Sequence, residues 1–196
     1  GRHGESAAVF SYGVAETLDA VVGLPVQFVR PSAPEEARTL AGVADTALEL
    51  KWRFIQRGGV SLALKPGLTV TTGDEERGFG AGRSNYRLAA LASASRGKAE
   101  AHANVGYVRN DNVFDERVDL WHASLAAAYS LPLFKLALNA SLDSDPDPAR
   151  RGLPATAVLG AIVPLGGVVD VDLGWRTGLG PDRTEQAFLA GLTTRF

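Results

Sequence analysis

No cysteine and no methionine occur among the 196 residues, and neither charge sign dominates: 20 Lys and Arg stand against 22 Asp and Glu, for a net charge of −2. Without cysteine there is no disulfide framework, no thiolate metal site and no thiol nucleophile. Without a basic excess there is no electrostatic stripe for a nucleic acid, so no nucleic-acid partner is expected. Long apolar runs are missing too. A spanning helix needs about 18 or more consecutive apolar residues, and the best stretch, "LPATAVLGAIVPLGGVV" at 153–169, is interrupted by Pro154, Gly160, Pro164, Gly166 and Gly167. Those residues break a helix repeatedly but suit two strands with a turn at "PLGG". The opening "GRHGESAAVF" has neither a charged n-region nor an apolar h-region, so the chain reads as a mature or truncated product with no signal peptide in place. Its length suits a single domain over 1–196.

What the sequence does have is alternation. In "TALELKWRFIQRGGVSLALKPGLTV", residues 46–70, two apolar/polar alternating stretches flank Gly58 and Gly59. Segments of this kind recur at about 6–15, 18–29, 43–55, 60–72, 85–95, 99–109, 118–129, 133–143, 155–163, 168–177 and 187–196. Each has roughly the 9 to 11 residues of a tilted membrane strand. Helical periodicity is confined to "PEEARTLAG", where a turn of helix is expected. The fold class is therefore all-β, an antiparallel up-and-down arrangement. Short links ("AET", "QRGG", "RGK", "SLP", "PLGG") alternate with long polar ones ("PSAPEEARTLAG", "TGDEERGFGAGRS", "NDNVFDER", "DSDPDPARRG", "GLGPDRTEQ"). Short periplasmic turns opposite longer external loops belong to outer-membrane barrels.

Side chains alternate with period two along a strand. Leu48, Leu50, Trp52 and Phe54 thus share one face, against Asp45, Glu49, Lys51 and Arg53. A soluble sheet could present that charged face to water, and a soluble ligand-binding barrel is one rival reading. The aromatics favour lipid. On the apolar faces Phe28, Tyr86, Tyr107, Trp121, Trp175 and Phe188 fall at the long-loop end, and Trp52, Phe54, Tyr129, Phe134 and Phe196 at the short-turn end. Two aromatic girdles around an aliphatic band mark a barrel wall at both membrane interfaces. From Trp121 to Tyr129 a strand tilted near 45° climbs roughly 19 Å, against an apolar band of about 25 Å. The expectation is a transmembrane β-barrel in the bacterial outer membrane, its apolar face on lipid and its charged face on the lumen. Bacterial barrels have an even strand count, so the eleven visible strands imply a twelfth before Gly1, and an open slot or irregular closure between 6–15 and 187–196.

Several stretches carry a family resemblance: "TALELKWRF", "SLALKPGLTVTTGDEERGFGAGRSNY", "HANVGYVRN", "RVDLWHASLAAAYSL" and "LAGLTTRF". Together they resemble the outer-membrane proteins grouped as the meta-pathway phenol-degradation family, often labelled transporters. The resemblance implies a barrel associated with uptake of aromatic or other small organic compounds. The end of the chain is similar to the signal read by the outer-membrane assembly machinery, with Gly191 and Phe196 in place and Leu189 and Thr194 departing from the usual choices.

Candidate functional residues line the lumen face: Glu49, Lys51, Arg53, Lys65, Arg87, Glu100, His102, Asn104, His122, Ser124, Asn139, Asp170, Asp172 and Arg176, with Lys135, Asp143 and Arg195 beside them. Opposite charges directly across a strand pair contribute roughly 0.2–1 kcal/mol, and a hairpin register opposing Arg53 with Ser61 predicts a Glu49–Lys65 ion pair. A register opposing Arg109 with Arg117 would face His102 with Ser124 and Asn104 with His122. That cluster, with Asn139 nearby, resembles an outer-membrane phospholipase, whose His-x-Ser pair supplies base and nucleophile. Parity nevertheless places His122 and Ser124 inside, away from a membrane-held ester, so a lipid hydrolase is the second rival and no catalytic residue is assigned. Two histidines without a third ligand make no zinc site. In "GDEERGFGAGRS" calcium-loop spacing is absent, and a solvated flexible loop is expected. No metal or other cofactor is called for.

Overall fold

The computed structural model describes residues 2–30, 40–150, 152–180 and 186–195. Among the described residues twelve strands follow one another: β1 Arg2–Ala15, β2 Leu18–Arg30, β3 Leu40–Val43, β4 Thr46–Arg57, β5 Val60–Val70, β6 Asn85–Arg96, β7 Ala99–Arg109, β8 Asp119–Ser130, β9 Lys135–Asp143, β10 Ala155–Leu165, β11 Val169–Leu179 and β12 Gln186–Thr194. The other described element is a turn of 3-10 helix at Glu75–Arg77. All strands join one sheet in sequence order, with β3 paired to β2 beside the main path. That path is open, with β1 at one end and β12 at the other. The helical turn expected in "PEEARTLAG" falls mainly outside the described residues, and its last part is strand β3.

The links alternate in length as the spacing predicts. Two residues join β1 to β2, β4 to β5 and β6 to β7, whereas 71–84, 110–118 and 144–154 are long. At the β4–β5 turn Gly58 and Gly59 have φ of 57° and 80°. A tight hairpin turn with two left-handed residues matches the twist of its strands, and glycine adopts that conformation without steric cost.

The ladder between β2 and its neighbours contains one irregularity. Val26 opposes Val43 on β3 but Gly23 opposes Ala47 on β4, so the β3–β4 side carries one extra residue at 44–46. The cause is Pro25, which has no N–H to give the ladder. Its carbonyl accepts from the Ala44 amide at 2.9 Å, and the bulge aims the Asp45 carboxylate toward the 73–84 loop.

Burial separates the two faces in an order opposite to a soluble protein. Among the described residues the buried apolar side chains are Ala44, Ala63 and Phe79, whereas Leu125, Leu138 and Leu173 are 68%, 55% and 63% exposed. Glu49, by contrast, leaves 9% of its side chain exposed. The alanines Ala103, Ala123 and Ala140, between Val105, Leu125 and Leu142, also leave an apolar groove of about 350 Å³ on the outward face. A sheet built this way needs an apolar solvent for its Leu, Val and aromatic side. That distribution overturns the soluble-barrel reading, which needs an apolar core.

Contacts divide the chain into two compact units, one of 1–53, 64–89 and 107–120, the other of 54–63, 90–106 and 121–196. The first holds the β1–β2 ladder, the bulge and the 73–84 and 110–118 loops. In it, β1 registers Phe10 against Val22 and Tyr12 against Ala20, putting both rings on the apolar face, 58% and 74% exposed. The second holds the β8 to β12 ladders, continuous from His122↔Asp143 through Val158↔Asn139 to Trp175↔Phe188.

Candidate functional site

The aromatic positions follow the sheet's parity. Trp52, Phe54, Tyr86, Trp121, Tyr129, Trp175 and Phe188 are all exposed on the apolar face. On the same face at the long-loop end, the Tyr107 hydroxyl donates to Asp119 at 2.6 Å, and Arg109 reaches the same carboxylate at 3.3 Å. A ring with a polar tip anchored beside charge suits a membrane interface. Phe196 lies outside the described residues.

On the charged face of the first unit, Glu49 sits beneath two cations. Lys65 Nζ lies 3.0 Å from its Oε2 and Arg87 Nη1 lies 3.5 Å from its Oε1. Gly67 makes the space: a Cβ there would stand 2.7 Å from Glu49 Cγ and 2.9 Å from the Leu48 carbonyl. Arg53 donates through Nη2 to the Glu16 carbonyl at 2.6 Å. Lys51 is opposite Asp19 in the register. Nearer the long loops, Thr69, Asn85 and Asn110 are buried and bonded, Asn85 N to Thr69 Oγ1 at 3.1 Å and Asn85 Nδ2 to Asn110 Oδ1 at 3.4 Å.

The second unit carries its own polar clusters. Lys135 Nζ donates to Glu100 at 2.7 Å, and His102 lies 3.7 Å from the other Glu100 oxygen while its Nδ1 meets Ser93 Oγ at 2.9 Å. His122 Nδ1 is 2.6 Å from Asp143 Oδ1, whose other oxygen accepts from Ser141. Asp170 pairs with Arg195. Asp172 and Arg176 have no hydrogen-bonding or ionic partner among the described residues.

Two expectations need correction here. Asn104 Nδ2 donates to Ser124 Oγ at 3.1 Å, and the backbone bonds Asn110 N to Val118 O and Ser130 N to Lys98 O fix the same alignment. The β7–β8 register is therefore displaced by two residues from the one that would face His102 with Ser124 and Asn104 with His122. Parity survives a shift of two, so the side chains keep their face but change partners. Ser124 and His122 end on different partners, Asn104 and Asp143, which is not a nucleophile held by its base.

The second correction concerns the 73–84 loop, expected to be solvated and flexible. Phe79 is 1% exposed and packs so closely over Gly42 that a side chain at that glycine would collide with its ring. Arg77 covers the same ring at 5.5 Å. Asp45 fastens the loop, Oδ1 accepting from Gly73 N at 3.0 Å and Oδ2 from Ala81 N at 2.8 Å. Substituting Asp45 with alanine should cost about 1–3 kcal/mol locally by leaving both amides without an acceptor. The expected readout is faster tryptic cleavage after Arg77 and Arg83 in the reconstituted protein; an unchanged rate would dissociate Asp45 from loop order.

The charged face is not uniformly polar. In the second unit a cavity of about 190 Å³ is lined mainly by small or apolar residues, Ala126, Ala137, Val158, Gly160, Ile162 and Leu189 among them, together with Asn139 and Asp172. No sequence argument singled it out. Its signal was the run of small or apolar residues at inward parity on β8 to β12.

With this geometry in place, the chain can be set beside known proteins. A family model described as "Putative MetA-pathway of phenol degradation" matches residues 4–196. The chain belongs to this family. Among solved structures it is similar to an outer membrane channel from Pseudomonas putida F1, at 16% identity and a TM-score of 0.73, over 98% of this chain and 83% of that one. At that identity the likeness concerns the fold, and the family member has the fold of an outer-membrane channel barrel. No curated protein matches it.

Proposed function

We propose that this family member is an outer-membrane channel for small organic solutes, aromatic compounds among them. The observation that carries the reading is the inversion of burial: aliphatic and aromatic side chains face outward while ion pairs occupy the other face. Such a sheet separates lipid from a polar interior. The fold shared with an outer membrane channel supports the same reading, and the family description supports an aromatic solute. The roughly 190 Å³ apolar cavity on the inward face of β8 to β12 is smaller than the pockets of about 300–1,000 Å³ that hold drug-sized ligands, and fits a smaller apolar group.

In this account Glu49, Lys51, Arg53, Lys65, Arg87, Glu100, His102, Asn104, His122, Ser124, Asn139, Asp170, Asp172 and Arg176 line the lumen. The closing strand is the part presented to the assembly machinery. Proteoliposomes in isosmotic solutions of small neutral organic solutes test the function. They should swell faster than protein-free vesicles, and faster for benzyl alcohol-sized solutes than for disaccharides. Swelling no faster than in empty vesicles would reject the channel.

A further inference from the structure

We propose that Lys65 and Arg87 form a binding site for the carboxylate of an organic anion, so that the solutes this channel favours are small acids. The inference rests on the channel reading and adds the chemical class of the solute. Glu49 is the starting point. Its side chain is nine-tenths buried, and each of its oxygens serves one cation, Lys65 at 3.0 Å and Arg87 at 3.5 Å. One negative charge therefore holds two positive ones. The cations are the more exposed members of the cluster, with 30% and 35% of their side chains exposed.

Their donors are not used up. An ammonium has three N–H groups and a guanidinium five in a planar fork, whereas Glu49 engages one from each, and Arg87 Nε is buried without an acceptor. A carboxylate is the group that matches such a pair, because it offers two oxygens to donors on two side chains and balances the surplus charge.

The surplus is local. The chain as a whole has a net charge of −2, yet at this point two cations, Lys65 and Arg87, share the single carboxylate of Glu49. Fixed cations projecting into a lumen raise the local concentration of anions. Gly67 completes the arrangement by leaving the room in which Glu49 and Arg87 meet.

The experiment uses the reconstituted protein in planar bilayers under a KCl gradient, with benzoate and benzyl alcohol as charged and neutral probes of the same ring. The reversal potential should show preference for chloride, and benzoate should block the current at concentrations where benzyl alcohol does not. Lys65→Gln and Arg87→Gln should each weaken benzoate block about tenfold, equivalent to about 1.4 kcal/mol, and move the reversal potential toward zero. Lys65→Arg, which keeps the charge, should retain both, showing that loss in the glutamine variants is not misfolding. A conducting channel that prefers potassium, or that benzoate blocks no better than benzyl alcohol, would overturn the carboxylate site and leave the channel standing. Absence of any conductance would overturn both.

Discussion

Replacing Leu138 with arginine is expected to destabilise the protein in a bilayer by about 1–3 kcal/mol, the cost of a cation on the lipid side part-way between the membrane midplane and an interface. Replacing its neighbour Asn139 with arginine should cost less, under about 1 kcal/mol, because a long side chain at this inward position reaches past the apolar cavity wall to polar surroundings. The two residues are adjacent on β9 and differ by parity alone. Leu138 opposes Ala127 on β8, two residues from the Tyr129 girdle position and six from Trp121, and is 55% exposed. Asn139 opposes Ala126 beside the inward apolar cavity. Urea-dependent refolding into phospholipid vesicles measures both. Equal costs would mean that the sheet's faces do not meet different solvents.

Glu49→Ala is expected to cost about 2 kcal/mol. Removing one partner of a fully buried ion pair costs about 3–5 kcal/mol because the other charge is stranded, and here the stranded Lys65 and Arg87 keep roughly a third of their surface in contact with solvent, which lowers the figure. Lys65→Gln should cost under about 1 kcal/mol, the range of a partly exposed pair, since Arg87 still holds Glu49. The same refolding titration compares them. If the two variants cost the same, Glu49 is not the common anchor of both cations.

Much of this architecture was legible because lipid-facing strands obey one rule, period two, over their whole length. The alternation of "TALELKWRF" is enough to place Glu49, Lys51 and Arg53 on the face opposite Leu48, Leu50 and Trp52, and the Glu49–Lys65 contact is within reach because both residues have the same inward parity on consecutive strands. Long loops impose no such restriction. Between β7 and β8 the alignment is set by Asn110, whose side chain bonds Glu116 and the Arg117 carbonyl, and by Asn112, which accepts from the Phe114 and Glu116 amides. These local bonds fix a loop length that alternation does not encode, hence the displaced partners of His102, Asn104, His122 and Ser124.

The 73–84 loop was illegible for a related reason. Its order depends on Asp45 and Gly42, more than thirty residues away from Phe79, and the glycines around Phe79 read as flexibility while the glycine that makes room for its ring, Gly42, lies on another strand. The bulge at 44–46 was hidden in the same way, although Pro25 was its visible cause. Tyr12 and Phe10 were missed on a strand whose own pattern, Ala8, Phe10, Tyr12 and Val14 against Val9, Ser11 and Gly13, could have found them.

The central claim is that the apolar face meets lipid and the charged face meets water. The most direct measurement is spin labelling of single cysteines introduced along β8, which the absence of native cysteine makes clean. Accessibility to oxygen, which partitions into the bilayer, and to a water-soluble nickel chelate would be read at each position in reconstituted protein. The account predicts two antiphase series: oxygen contact high at Trp121, Ala123, Leu125, Ala127 and Tyr129, and nickel contact higher than at these at His122, Ala126, Ala128 and Ser130. Odd-numbered sites shielded from both reagents, as in a protein core, or the same response along the whole strand, would contradict it.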